Sequence, residues 1–448
     1  MWWDGKITRT FRCRLTQKPG SLGRLLAAVG ELGGLIGEIR TIAMGSMAMV
    51  RDITVYADDL KHLDRLIRLI QGLPDVELLE VRDEVLEMHQ GGKIAIRSRY
   101  DISSLSTLRR VYTPGVAEVS LKIKEDPSLA RRFTSIRHLV AIVTDGTAVL
   151  GLGDIGPLAA MPVMEGKASL LETLTGLSGM PILLNTKDPE EIIQTVVHIA
   201  PTFSAIQLED ISAPRCFEIE RRIQDAVDIP VMHDDQHGTA VVVTAALLNA
   251  AKIAAVDLAK ARIGVIGLGA AGFALSKMLM VYFKTPVLGA DIDASALERL
   301  RQAGGAPSDL KAIMATADVV IATTGVPGLI KKDMVRKGQI VLALSNPNPE
   351  IDPAEAMEAG AAFAADGKSV NNVLGFPGIF RGAVDANVPR ITREMLIAAA
   401  EAIAGFAPPG DIVPNPLDKN LHKTVARAVA RVAVAQGLNR DDLTGYFD

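Results

Sequence analysis

Two acid pairs end apolar runs in this chain. Glu209-Asp210 follows Phe203–Leu208, and Asp234-Asp235 follows Ile229–His233. Carboxylates beside buried surface cost free energy unless they are paired or bound to a metal. Mg2+ and Mn2+ take oxygen ligands and leave room for water and substrate. Glu209, Asp210 and one of Asp234 or Asp235 would supply three carboxylates to such an ion. An acid pair on a loop is ordinarily just solvated. These pairs stand at strand ends, where α/β sheets build their sites, and that favours the metal. His233 and His237 flank the second pair. Carboxylate-rich sites rarely use imidazole, so both are expected to support the acids rather than to bind the ion.

Shortly after these acids comes Gly267-Leu268-Gly269-Ala270-Ala271-Gly272. Alone the motif is a glycine-rich turn. Here a strand, Arg262–Ile266, precedes it and a helix, Phe273–Tyr282, follows. That context predicts a dinucleotide loop: Gly267, Gly269 and Gly272 allow a tight turn and a close approach to pyrophosphate at the helix N-terminus, with Ala270 and Ala271 between them. The next strand, Pro286–Ala290, ends at Asp291. An acid there accepts from both ribose hydroxyls and repels a 2′-phosphate, which predicts NAD over NADP. Ile292–Ser295 adds no Arg or Lys, and Asp293 is the rival for the ribose role. Thr323-Thr324-Gly325, after Asp318–Ala322, is either a plain turn or part of the cofactor cleft.

The elements that must carry these groups divide the 448 residues into three predicted domains. Over 8–85, Thr8–Leu15, a helix through Leu22, Leu25, Leu26 and Val29, Ile36–Ile42, Met49–Tyr56, a helix Leu60–Gln71 and Val76–Val81 give the order βαββαβ, a ferredoxin-like pattern. This stretch is similar to an ACT domain, a small regulatory module, and its Lys18-Pro19-Gly20-Ser21-Leu22 turn fits. An effector site and a ligand-free dimerisation module are both open. A short connector ends in Gly91-Gly92. Residues 93–255 hold apolar runs Leu139–Val143, Ile182–Leu184, Ala205–Leu208 and Ile229–Met232 between helical segments, an α/β layout with a largely parallel sheet. Residues 256–430 form a doubly wound, Rossmann-type unit with later strands Asp318–Ala322, Gln339–Ala343 and Ala361–Ala364, and helices from Thr392 close the chain to 448.

Composition excludes other classes. Hydrophobic residues are 48% and the net charge is −4, so there is no basic footprint for nucleic acid or anionic membrane. Thr239–Ala251 is apolar but too short to span a bilayer, and it reads as a buried helix. Met1–Lys6 lacks the apolar core of a signal peptide, and Cys13 and Cys216 make no disulfide framework. A cytoplasmic protein is expected, with Cys216 read as a free buried cysteine. There is no short-period repeat and no low-complexity segment.

Two further segments join the acids. Val111–Ala117 places Tyr112 before Thr113-Pro114-Gly115, and Met161–Ala168 places Lys167 at a predicted helix start. Singly, a tyrosine and a lysine are most often surface residues. Together the chain closely resembles the malic enzyme family. The matches are Tyr112-Thr113-Pro114-Gly115, Asp145-Gly146, Gly151-Leu152-Gly153-Asp154-Ile155-Gly156, Glu165-Gly166-Lys167, Glu209-Asp210, His233–Thr239, Ser345-Asn346-Pro347, and Asn371-Asn372 ahead of Phe376-Pro377-Gly378. They run in family order over roughly 93–390. The ACT-like unit points to the bacterial NAD-dependent branch.

The resemblance implies residue roles. Glu209, Asp210 and Asp235 bind Mg2+ or Mn2+, and Asp234 orients Lys167. Lys167 takes the C2 hydroxyl proton of malate as hydride leaves for NAD. The oxaloacetate formed loses its C4 carboxylate, and Tyr112 protonates C3 to give pyruvate. Asn346 and Asn372, with Asn371, hold substrate carboxylates; locally, these asparagines read as turn-formers. Asn346 and Thr323 also border the cofactor. Larger eukaryotic members carry an arginine just before the Gly151 motif, whereas Thr147–Leu150 has none, as in small bacterial members. Arg381 or a cation from a partner subunit is the candidate for that carboxylate. A homo-oligomer is expected. The rival functions are an oxaloacetate decarboxylase of the same fold and a catalytically silent sensor of NAD or an effector.

Overall fold

The computed structural model describes residues 6–149, 151–368 and 370–447. Most of the N-terminal Met1–Lys6 stretch, and Leu150 of the arginine-free segment, lie outside the described residues. The chain forms two compact units, Met1–Ala95 and Ile96–Asp448.

The first unit runs β1 (Ile7–Thr16), α1 (Ser21–Glu31), β2 (Leu35–Met44), β3 (Ala48–Ala57), α2 (Leu60–Gln71), β4 (Val76–Arg82) and α3 (Glu84–His89). Its antiparallel sheet has the order β2-β3-β1-β4. Alternation sends Phe11, Cys13 and Leu15 of β1 and Ile53, Val55 and Ala57 of β3 to one face. There they meet Leu25 and Val29 of α1 and Leu63, Leu66 and Ile70 of α2. The Asp59 side chain caps α2 by accepting from His62 N. Arg12 lies opposite Asp52 across the β1–β3 pair and donates to its two oxygens at 2.8 and 2.9 Å, with Arg82 joining at 2.5 Å.

The second unit opens with α4 (Leu105–Val111), α5 (Gly115–Glu125) and α6 (Ala130–Phe133), none of which buries a residue. Then come β5 (Leu139–Thr144), α7 (Gly156–Thr175), β6 (Ser178–Leu183), α8 (Pro189–Ile199), β7 (Ala205–Leu208), α9 (Arg215–Ala226) and β8 (Val231–His233). Their sheet is parallel, in the order β6-β5-β7-β8. Ile192 and Val196 of α8 and Cys216, Ile219 and Ile223 of α9 pack on Ala141, Val143, Ile206 and Leu208. A single wide helical turn, Asp234–Gly238, leads into α10 (Thr239–Ile253), which is buried along nearly its whole length.

The nucleotide-type half follows with β9 (Ile263–Ile266), α11 (Ala270–Phe283), β10 (Leu288–Ala290), α12 (Ala294–Gln302), β11 (Ala306–Pro307), α13 (Leu310–Thr316), β12 (Val319–Ala322), β13 (Ile340–Ala343), α14 (Pro353–Glu358) and β14 (Phe363–Asp366). Its six strands are parallel, in the order β11-β10-β9-β12-β13-β14. The chain reverses direction across the sheet between β9 and β12, which opens a cleft at their carboxyl ends. α15 (Phe376–Asp385), α16 (Arg393–Phe406) and α17 (Lys419–Ala435) complete the unit. Among the described residues, no helix is long and apolar enough to cross a membrane.

Two expectations change. Lys167 is not at a helix start: α7 begins at Gly156, and Lys167 lies in its second half. Pro162 is exposed and sits inside α7. The dinucleotide helix begins at Ala270 rather than Phe273, so the last glycine of the fingerprint is already helical.

Candidate active site

Lys167 projects from α7 toward the strand ends. Its Nζ is paired with Asp234 Oδ2 and lies 3.1 Å from Glu209 Oε1. The Phe376 ring at the start of α15 sits 4.5 Å from the same nitrogen. Burial alone would lower the lysine pKa, but Asp234 and Glu209 outweigh it and hold it above the ordinary lysine range. The acids respond in kind. Burial raises Glu209 well above the usual carboxylate range against the pull of Lys167. Burial and the nearby Asp235 push Asp210 up to about 8. Asp234 is raised by burial and restrained by Lys167.

Glu209, Asp210 and Asp235 bring one oxygen each within 4.8 Å of one another. Asp210 adopts φ 55°, a left-handed conformation unusual for a residue with a side chain. Its N–H donates to Asp235 Oδ2 at 2.8 Å, and its carbonyl accepts from Ala148 N at 2.9 Å. Its Oδ2 is buried with no hydrogen-bond partner. A buried, unpartnered carboxylate oxygen beside two more carboxylates fits a hard divalent cation, because an oxygen donor set with an open side is what such an ion takes. Arg215 braces this loop from below: it pairs with buried Asp145, reaches Thr147, and donates to Ser212 Oγ at 3.1 Å and to the Lys187 carbonyl at 2.7 Å.

The 234–239 turn is held from several sides. Gly238 leaves no room for a side chain, since a Cβ there would sit 1.9 Å from Asp234 Oδ1. Asn372 donates from Nδ2 to Asp234 Oδ2 at 3.3 Å, and Thr239 donates to Asn372 Oδ1 at 3.1 Å. The threonine therefore fixes which end of the amide faces the aspartate. Glu220 of α9 accepts from His233 N at 2.7 Å, Gln236 Nε2 at 3.1 Å and His237 Nε2 at 3.0 Å. Burial would raise the Glu220 pKa, but His237 and these hydrogen bonds bring it below the ordinary value. The His233 ring is fully buried, with Nδ1 3.7 Å from Asp235 Oδ2. Thr239 closes the His233–Thr239 motif without an assigned role, and Glu220 lies outside every motif. Glu220 had a signal: it falls on the α9 face of Cys216, Ile219 and Ile223, a place for an apolar residue.

The glycine loop is tightly turned and leaves no room for side chains at two of its glycines. Gly267 has φ +89°, and a Cβ on Gly272 would lie 1.8 Å from the Gly267 carbonyl. At Gly269 a Cβ would meet nothing within 4 Å, so that side of the loop faces open space at the N-terminus of α11. Thr323 donates to the Gly267 carbonyl at 3.0 Å. Asp291 Oδ2 accepts from Leu268 N at 2.6 Å and Oδ1 from Asp293 N at 2.8 Å. Asp293 caps α12 through Ser295. A second acid missed in the sequence, Glu350, is fully buried and ties the opposite loops together, accepting from Thr324 N at 2.7 Å and from Ser345 Oγ at 2.5 Å.

Known proteins match this arrangement. The family description "Malic enzyme, N-terminal domain" matches residues 95–224, and "Malic enzyme, NAD binding domain" matches 299–436. The chain is 55% identical to NAD-dependent malic enzyme 1 of Bacillus subtilis, over 96% of this chain and 98% of that one. The chain belongs to the malic enzyme family. The NAD-dependent malic enzyme of Geobacillus stearothermophilus is 43% identical, over 97% of this chain and 96% of that one. The crystal structure of a malic enzyme from Pyrococcus horikoshii is similar with a TM-score of 0.76 and 40% identity, over 81% of this chain and 92% of that one.

Within this malic enzyme, Lys167, Glu209, Asp210, Asp234, Asp235 and Asn372 come together, as do Gly267–Gly272, Thr323 and Asp291. Asn346 stands beyond β13, where its Nδ2 donates to the Gly367 carbonyl at 3.2 Å. Asn371 is exposed, and its side chain accepts from Val373 N as a cap. Tyr112 follows α4 and is 67% exposed, and it makes no side-chain hydrogen bond among the described residues. Arg381 is engaged elsewhere: Asp385 accepts from it at 2.8 and 2.6 Å, and Tyr446 donates to the same carboxylate at 2.7 Å.

Proposed function

We propose that this malic enzyme oxidises (S)-malate with NAD and decarboxylates the product to pyruvate and CO2. The two bacterial relatives that align nearly end to end carry the NAD-dependent name. The observation that carries the reading is the Lys167 ammonium held between Asp234 and Glu209 beside three clustered carboxylates. Asp234 aims Nζ, and Asn372 with Thr239 holds Asp234 in turn. Lys167 accepts the C2 hydroxyl proton in its neutral form, and positive charge among the surrounding acids favours that form. A divalent ion held by Glu209, Asp210 and Asp235 would supply a Lewis acid for the alcohol oxygen and a counter-charge for the enolate. Tyr112 delivers the proton to C3, and Asn346 with Asn372 orients the carboxylates.

The cofactor reading rests on Asp291. Each of its oxygens accepts one backbone N–H and keeps a lone pair for a ribose hydroxyl. Asp293 is committed to capping α12, which favours Asp291 in that role. The βαββαβ order and β2-β3-β1-β4 sheet of residues 8–85 support an ACT-like module for a small effector, preceding a catalytic domain over 93–255 and an NAD-binding domain over 256–430. α4 and α5 bury nothing yet expose Leu105, Leu108, Val111, Val116 and Leu121, which supports a second copy of the chain covering this face.

The test follows NADH absorbance with malate and Mn2+ in the full chain. NADH production is expected, and none at any effector concentration would end the reading. Lys167→Ala is expected to abolish oxidation while NAD still binds; unchanged turnover would remove Lys167 as the base.

A further inference from the structure

The Asp234-Asp235 pair sits in one turn of chain, and that turn's path decides whether Asp235 meets Glu209 and Asp210. Glu220 reaches the turn from α9. It is 5% exposed, on the packed face of α9. Its three donors bracket the acid pair: the His233 N–H precedes it, and the Gln236 amide and His237 ring follow it. One rigid carboxylate therefore pins both ends of the segment that carries Asp234 and Asp235. The arrangement needs an acceptor at both oxygens, because Oε1 faces a backbone N–H and Oε2 faces two side-chain donors. An amide in the same place would keep the first contact and turn an NH2 group against Gln236. The half of the turn after Asp235 would then lose its anchor.

We propose that Glu220 is a positioning residue for the divalent ion, acting through the Asp234–Gly238 turn to hold Asp235 against Glu209 and Asp210. The proposal rests on the reading of those three carboxylates as the ion's ligands. Glu220 is not one of the three grouped carboxylates, so its effect is expected in ion affinity before it appears elsewhere. Outer partners that orient metal ligands typically change affinity by about 10–100-fold when removed.

Mn2+ binding to the full chain, read by electron paramagnetic resonance, tests it, with NAD binding measured alongside by calorimetry. Glu220→Gln is expected to weaken Mn2+ by about 10–100-fold and to leave the NAD affinity essentially unchanged. An unchanged Mn2+ affinity, or equal loss of both affinities, would overturn the positioning role. Should Glu220→Gln fail to fold, His237→Phe removes one of the three contacts at a partly exposed site. It is expected to weaken Mn2+ selectively, and wild-type affinity in that variant would overturn the proposal. Asp210→Asn separates the two readings. Mn2+ binding that survives Asp210→Asn intact would overturn the ligand set itself, and the Glu220 role with it.

Discussion

Gly238→Ala is expected to disable catalysis through a single methyl group. The glycine has an ordinary helical φ of −60°, so alanine meets no backbone strain. The obstacle is Asp234 Oδ1, which would lie 1.9 Å from the new Cβ. Ordinary van der Waals contact begins near 3.4 Å, so the carboxylate must retreat by about 1.5 Å. Asp234 cannot retreat freely, because its other oxygen pairs with Lys167 and accepts from Asn372. A displacement of about 1 Å at a catalytic group costs on the order of 10²-fold in rate, or about 2.7 kcal/mol of transition-state stabilisation. The assay is kcat for malate oxidation at saturating NAD and Mn2+, with circular dichroism and NAD binding as controls for the fold. A kcat within about threefold of wild type would refute the claim that Asp234 must stand where it does.

Three further outcomes test other parts of the molecule. Gly272→Ala places a methyl 1.8 Å from a backbone carbonyl of the glycine loop, and it is expected to weaken NAD by at least about 10-fold in calorimetry with Mn2+ affinity retained. Arg215→Met leaves the fully buried Asp145 carboxylate without its cation, a change of about 3–5 kcal/mol that should lower Tm by roughly 10 °C; a negligible shift would show that the brace is dispensable. Asp210→Asn removes one of several crowded buried acids whose pKa values are pushed up, so the metal-free protein at pH 8 should melt higher, by about 2–5 °C, and Mn2+ should no longer raise its Tm.

Much of the frame was legible because the strands are short apolar runs with distinct ends. Ala205–Leu208 is read identically from the sequence and in β7, and the Leu60–Gln71 helix matches α2 because its leucines and isoleucines repeat at helical spacing. The α7 helix starts at Gly156, eleven residues before Lys167, and it carries Pro162 in its interior, so the local sequence around Lys167 does not mark its true start. Glu220 and Glu350 were missed for a related reason. Neither acid is itself a motif residue, and although Glu220 falls on the apolar face of α9, the Arg221-Arg222 pair after it gives the segment the look of a solvated helix. Arg381 was offered as a grip for malate on charge alone, and its i,i+4 partner Asp385 holds that charge away from the role.

The carboxylate cluster also shows why one element serves two tasks. Asp234 and Asp235 are sequence neighbours in a wide helical turn. Asp234 faces Lys167, while Asp235 meets Asp210. On the proposed roles, a shift of the turn would disturb both proton transfer and ion binding, to degrees set by which end of the turn moves. The cluster is electrostatically unfavourable by itself, because burial raises the pKa values of Glu209, Asp210 and Asp234 together. The turn's path is maintained by contacts that bear no substrate: the missing Cβ of Gly238, the Thr239–Asn372 hydrogen bond and the Glu220 carboxylate. Crowded buried acids of this kind are tolerable only where the surroundings fix their positions from several directions. The same reasoning predicts that substitutions at these supporting residues will separate by readout. Those on the Lys167 side should lower kcat first, and those on the α9 side should weaken the ion first.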